Sequence, residues 1–250
     1  MRPHLYIAGM GRSGSTLLAN WLTEPNSQIV FCEPNFFSHE ISVKLNKQFI
    51  DFGLSLKGIN LDQTQDTQEW LRKLTGEQLQ GRKWGFKEVL GESHLHCLEE
   101  LQPEFIIISV RNIRDIFLSF IEKHQTQNNE NRFPGQWSLD YCMEESVKMV
   151  DFVERLKQEN QPHIVSRYED FVNSPEKRQE IENASGWHGG GNLSRHLALF
   201  DRKFEQERHK GKLSMQVRNN MSREIDLKFF AMAEALVKSC QRYQMYFNYS

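Results

Sequence analysis

Apolar positions along this chain follow two rhythms. Five short stretches read as strands, Leu5–Ala8, Gln28–Cys32, Arg82–Val89, Glu104–Val110 and Pro162–Ser166, of which Leu5–Ala8 and Glu104–Val110 are apolar runs. The fourth, Glu-Phe-Ile-Ile-Ile-Ser-Val, is the clearest; its unbroken β-branched run suits a central parallel strand covered on both faces. Elsewhere apolar residues recur at helical spacing. Thr16–Thr23 carries Leu17, Leu18, Trp21 and Leu22, Leu95–Leu101 is a short helix, and a helix after Val110 carries Ser119. Ser138–Lys157 is a long helix with Tyr141, Val147, Val150, Phe152 and Val153. Ser222–Tyr243 reads as a terminal helix, N-capped by Ser222, with Ile225, Phe229, Met232 and Leu236 at helical spacing. This alternation predicts an α/β fold of three layers, α/β/α, around a central parallel sheet.

The remaining stretches read as connections. Residues 35–76 are mixed helix and loop, polar and rich in Gln and Asp, with Trp70, Leu71 and Leu74 on one helical face; they suit a substrate-facing cap. Residues 128–135 form a polar loop, 186–191 a glycine-rich break, and 192–214 a charged stretch, so that 186–214 is expected to be mobile. The 250 residues suit one domain, 1–250, with a substantial core. No internal repeat is visible.

Composition narrows the function. A net charge of −2 argues against a nucleic-acid partner, which calls for a basic surface. Cys32, Cys97, Cys142 and Cys240 are scattered without metal-ligand spacing, which suggests a reduced compartment. No run has transmembrane length, and the first strand starts too early to leave room for a signal peptide. A cytoplasmic protein without a membrane partner is the expectation.

The first strand runs into the stretch that carries the chemistry, Gly9-Met10-Gly11-Arg12-Ser13-Gly14-Ser15-Thr16. Three glycines let the backbone turn tightly and approach a ligand. Ser15 or Thr16 suits a helix N-terminus, where a hydroxyl satisfies orphan N–H groups. Strand, turn and helix start together make an anion site, built of N–H donors and the positive end of the helix dipole. A phosphate-binding loop of the G-x-x-x-x-G-K-[ST] type fits Gly9, Gly14 and Thr16, but Ser15 stands where its lysine belongs. A dinucleotide turn, G-x-G-x-x-G, also fits, with Glu33 placed to meet a ribose after the second strand. That reading implies an NAD(P)-dependent oxidoreductase; a nucleotide-binding module without catalysis is a third.

Arg12-Ser13-Gly14-Ser15-Thr16 resembles the 5′-phosphosulfate loop of sulfotransferases that use 3′-phosphoadenosine 5′-phosphosulfate, in which an Arg or Lys holds the position of Arg12. Other segments resemble the same family in order. Glu33, in Glu-Pro, follows Arg12 by 21 residues, as a glutamate does in the tyrosyl-protein and carbohydrate enzymes; in the former it is the catalytic base. Arg111 ends the clearest strand and Ser119 follows eight residues on, like the pair that holds the 3′-phosphate. An Arg offers a planar fork of donors to such a group. Lys87 precedes Arg111 by 24 residues, where cytosolic members have Lys-x-His; here the His position is Val89, which favours Glu33 as base over Glu88, His94 or His96. Tyr168-Glu169-Asp170 resembles the family segment whose tyrosine lies against adenine, and His209-Lys210-Gly211-Lys212, or Arg218, faintly resembles a basic segment over the 3′-phosphate. Arg114 and Asp115 read as a local ion pair.

The resemblance, to the bacterial, carbohydrate and tyrosyl-protein branch, implies sulfuryl transfer to a hydroxyl or amine of a metabolite or glycan, with adenosine 3′,5′-bisphosphate as product and no metal. Glu33 would take the acceptor proton, and Arg12 and Lys87 would meet the developing charge. Ser13, Gly14, Ser15 and Thr16 would cradle the 5′ end, Arg111 and Ser119 would hold the 3′-phosphate, and Tyr168 would contact the base.

Overall fold

The structure, a computed structural model, describes residues 2–34, 43–54, 79, 81–126, 134–193, 195 and 225–249. Five parallel strands form one sheet in the order β2-β3-β1-β4-β5: β1 Leu5–Gly9, β2 Gln28–Cys32, β3 Lys83–Glu88, β4 Ile106–Val110 and β5 His163–Arg167. Each falls within two residues of the stretch that predicted it. β1, β2 and β4 are buried along their whole length, which explains why they read as apolar runs rather than alternating ones.

Helices cover both faces, completing the three layers. Leu5, Ile7, Val30 and Ile107 pack on one face with Leu18 and Leu22 of the α1 region (α1, Ser15–Trp21), Phe171 of α6 (Tyr168–Asn173) and Ile181 of α7 (Pro175–Ser185). Tyr6, Ala8, Phe31, Phe86 and Ile108 pack on the other with the remaining helices. These are α2 (Val43–Asp51), α4 (Ile113–Thr126), α5 (Pro134–Gln158), α8 (Leu227–Ser239) and α9 (Gln241–Tyr246). α3 (Gly91–His96) runs into a π-helical turn at Cys97–Leu101.

Four helix boundaries depart from expectation. α5 begins at Pro134, inside the stretch 128–135 read as loop; proline at the first helical position has its φ preset and needs no N–H bond there. α8 is capped by Asp226, whose carboxylate accepts from the Lys228 N–H at 3.1 Å, so the start is not at Ser222, and the helix breaks at Cys240 before α9. The short helix expected at 95–101 starts earlier, at Gly91. All four cysteines are buried free thiols. Most of the segment 35–76 and of 194–214, with His209–Lys212, Arg218 and Ser222, lies outside the described residues.

Candidate active site

β1 lies between β3 and β4, yet the chain leaving it crosses beyond β3 to form β2. The loop after β1 therefore sits at a topological switch point, at the carboxyl edge where parallel sheets bind ligands. Two of its glycines have specific reasons. Gly14 sits at φ 95 as the N-cap of α1, and a Cβ there would overlap the Tyr168 ring. A Cβ on Gly11 would lie 2.9 Å from Phe120 and 3.0 Å from Tyr141 Oη. Because glycine is the cap, no side chain caps α1; Ser15 and Thr16 are its first two residues instead of capping it. Among the described residues no hydrogen bond engages the N–H groups of Gly14, Ser15 or Thr16. Ser13 is fully buried, and its hydroxyl donates to Ser109 Oγ at 3.3 Å, towards the sheet.

Arg12 and Glu33 both hold positive φ, 69° and 50°. Backbones of non-glycine residues in that region cost about 1–3 kcal/mol each and persist where surroundings enforce them. Glu33 is enforced by Lys87: its N–H donates to the Lys87 carbonyl at 2.8 Å, and Lys87 Nζ donates back to Glu33 Oε1 at 2.5 Å. Lys87 is buried and Glu33 partly exposed, at 1% and 27%. Tyr141 of α5 ties this corner to the loop. Its Oη accepts from the Gly11 N–H at 2.7 Å and donates to the Val89 carbonyl at 3.1 Å. Burial pushes its hydroxyl well above the usual phenol range, and the charge of Glu33 adds to the shift.

On the β4 side Arg111, Ser119, Tyr168 and Arg12 converge. Arg12 Nε donates to Ser119 Oγ at 3.0 Å, and Arg111 Nη1 donates to the Arg12 carbonyl at 3.3 Å. The Arg111 guanidinium lies over the Tyr168 ring, 4.4 Å from its centre. Arg111 is 8% exposed, and its buried Nε has no hydrogen-bond partner. An orphaned guanidinium nitrogen in such a place asks for an acceptor.

Sequence reasoning missed how Arg111 is held. The Arg111 N–H donates to Tyr243 Oη at 3.4 Å, and that hydroxyl donates to the Arg111 carbonyl at 3.0 Å. The next residue, Asn112, gives its N–H to Glu169 Oε1 at 3.3 Å, while Tyr249 donates to Glu169 Oε2 at 2.8 Å. α9 and the residues after it thus clasp the end of β4. Glu169 was visible in the Tyr-Glu-Asp segment; nothing in the local sequence pointed to Tyr243 or Tyr249.

Other candidates sit elsewhere. Glu88 faces the opposite side of β3 from Lys87, beside Tyr6 and Cys97. His94 is fully buried and hydrogen-bonded to the Tyr6 hydroxyl; burial pushes its imidazole down to about 3. His96 is exposed. Arg114 pairs with Glu234 at 2.6 Å, which replaces the expected pairing with Asp115. A cavity of about 530 Å³ lined by Arg2, Gln102, Glu104 and Gln161 lies at the amino ends of β4 and β5, far from this site. Among the described residues no three His, Cys, Asp or Glu side chains gather as a metal-binding group.

The dinucleotide alternative loses its geometry. In that fold the second strand lies beside the first, so its terminal carboxylate reaches a ribose on the glycine turn. Here β3 intervenes and Glu33 is engaged by Lys87.

Among solved structures the chain is similar to a sulfotransferase domain from the curacin biosynthetic pathway, at 12% identity over 100% of this chain and 99% of that one, with a TM-score of 0.55. A sulfotransferase domain from the Synechococcus PCC 7002 olefin synthase is 17% identical over 94% of each chain, with a TM-score of 0.49. The first likeness shows a shared fold. No protein-family model and no curated protein matches the chain.

Proposed function

We propose that this protein is a sulfotransferase, moving a sulfuryl group from 3′-phosphoadenosine 5′-phosphosulfate to a hydroxyl or amine of a metabolite or glycan. The observation that carries the reading is Arg111: buried, stacked on Tyr168, adjacent to Arg12 and Ser119, and with one guanidinium nitrogen lacking an acceptor. A nucleotide 3′-phosphate supplies that acceptor, and Ser119 stands within the same cluster. The loop N–H groups from Gly14 to Thr16 suit the 5′ end, with Tyr168 beside the nucleotide.

The donor brings an activated sulfuryl group, so the protein's task is positioning and charge stabilisation. Glu33, at the carboxyl end of β2, accepts the acceptor's proton. Arg12 and Lys87 meet negative charge on the leaving side. No metal enters this scheme. The near-neutral net charge and four free thiols fit a cytoplasmic enzyme with neither nucleic-acid nor membrane partner.

The test is transfer of labelled sulfate from the donor into a library of hydroxyl and amine acceptors. Label is expected in at least one acceptor class with the native protein and is lost with Glu33→Gln. Absence of transfer to every acceptor, together with no binding of adenosine 3′,5′-bisphosphate, contradicts the proposal.

A further inference from the structure

Lys87 and Glu33 are bonded twice, through backbone and through side chains, and Lys87 is almost completely buried. A buried ammonium needs a counter-ion, and Glu33 is placed to be one. In this arrangement neither group is ready for its task. A carboxylate 2.5 Å from an ammonium is a weak proton acceptor, because the cation favours its charged form. An ammonium already engaged by a carboxylate offers little net charge to a third group.

The loop after β1 begins just beyond the sheet partner of Lys87. Lys87 is in register with Ile7 of β1, two residues before Gly9, and shares a sheet face with the residues that pack on α1. The titratable groups set against Glu33 include Lys87 from β3 and Tyr141 from α5, and Tyr141 in turn holds the Gly11 N–H of the loop.

We propose that Lys87 is a donor-responsive latch on Glu33: an anion on the loop after β1 draws the Lys87 ammonium away, and only then is Glu33 released to accept a proton. This rests on the functional reading above and adds an order to it. The base is armed only after the donor is seated.

The experiment follows the Glu33 carboxyl carbon by 13C NMR as a function of pH, with the signal assigned by its loss in Glu33→Gln. Spectra are taken without nucleotide and with saturating adenosine 3′,5′-bisphosphate, in the native protein, Lys87→Met and Lys87→Gln. In the native protein the nucleotide is expected to make Glu33 roughly tenfold more basic, a shift of about one unit in its titration midpoint. In both lysine variants Glu33 is expected to be basic already, and the nucleotide adds little.

An unchanged midpoint in the native protein overturns the latch, and this arm stands even if neither lysine variant folds. A shift of equal size in the native protein and the lysine variants also overturns it, because simple repulsion between nucleotide and carboxylate then accounts for the change. Failure of the nucleotide to bind at all counts against the functional reading instead, and so the two failures are distinguishable.

Discussion

Arg12 and Ser119 stand 107 residues apart in the chain and share a hydrogen bond, Nε to Oγ at 3.0 Å. The family resemblance assigns them to opposite ends of a nucleotide, yet the fold makes them neighbours. The Arg12 backbone is strained at φ 69, and its carbonyl accepts from Arg111. Ser119 therefore orients the loop cation as well as facing the proposed 3′-phosphate.

Arg12→Ala is expected to lower kcat by roughly 10²–10³-fold, the scale for removing one preorganised donor from a developing negative charge. Arg12→Lys, whose charge suits the same loop position, is expected to retain part of the rate. Steady-state kinetics separate the outcomes. Normal kcat with a raised KM in Arg12→Ala makes this residue a binding group without a transition-state role.

Tyr243 clasps the backbone of Arg111 through one hydroxyl that both accepts and donates. Tyr243→Phe keeps the ring in the core and removes the clasp. Leaving buried groups unsatisfied is expected to cost ~1–3 kcal/mol of stability. Because Arg111 is the residue displaced, binding of adenosine 3′,5′-bisphosphate should weaken more than binding of AMP. Chemical denaturation and titration calorimetry read the two effects; equal weakening for both nucleotides argues that Tyr243 supports the core alone.

Gly14→Ala tests the loop geometry. The new methyl meets the Tyr168 ring at a backbone φ of 95, which side chains resist. A loss of ~1–3 kcal/mol in stability is expected, with nucleotide binding abolished, measured by thermal unfolding and calorimetry. The double variant Gly14→Ala/Tyr168→Ala should recover part of the stability, since only the strained φ then remains.

His94 gives the stability curve an acid limb. Burial holds its imidazole near 3, against 6.5 for the exposed group. Between these values the unfolded chain binds a proton that the folded one does not, so stability is full above about 6.5 and falls as pH drops toward 3. The expected loss is ~2 kcal/mol between about pH 7 and about pH 5. Urea unfolding at several pH values checks this, and His94→Gln should flatten the difference. Identical slopes in the two proteins place the acid sensitivity elsewhere.

β1, β2 and β4 were legible as buried, mostly apolar runs, because burial leaves its mark on composition; β3 carries Lys83, Lys87 and Glu88, and β5 is only partly buried. α7 was not legible, since among its residues only Ile181 is buried and the rest carry no apolar stripe to read. The start of α5 was hidden by Pro134 and Gly135, residues that mark turns as readily as helix starts. At the site, the resemblance to sulfotransferase motifs picked out Arg12, Glu33, Lys87, Arg111, Ser119 and Tyr168. It could not show that Lys87 and Glu33 bond to each other across 54 residues, or that Arg111 is held by Tyr243 across 132. Those relations depend on strand order and on where α9 docks, which no local window contains.

The central claim is that Arg111 and its neighbours form a 3′-phosphate site. Titration calorimetry of adenosine 3′,5′-bisphosphate against AMP, in the native protein and in Arg111→Ala, tests it most directly. A charge-assisted contact is worth ~1.5–3 kcal/mol, so the bisphosphate should bind roughly ten- to a hundredfold more tightly than AMP. Arg111→Ala should erase that preference while leaving AMP affinity nearly unchanged. Equal affinity of the native protein for the two nucleotides contradicts the account.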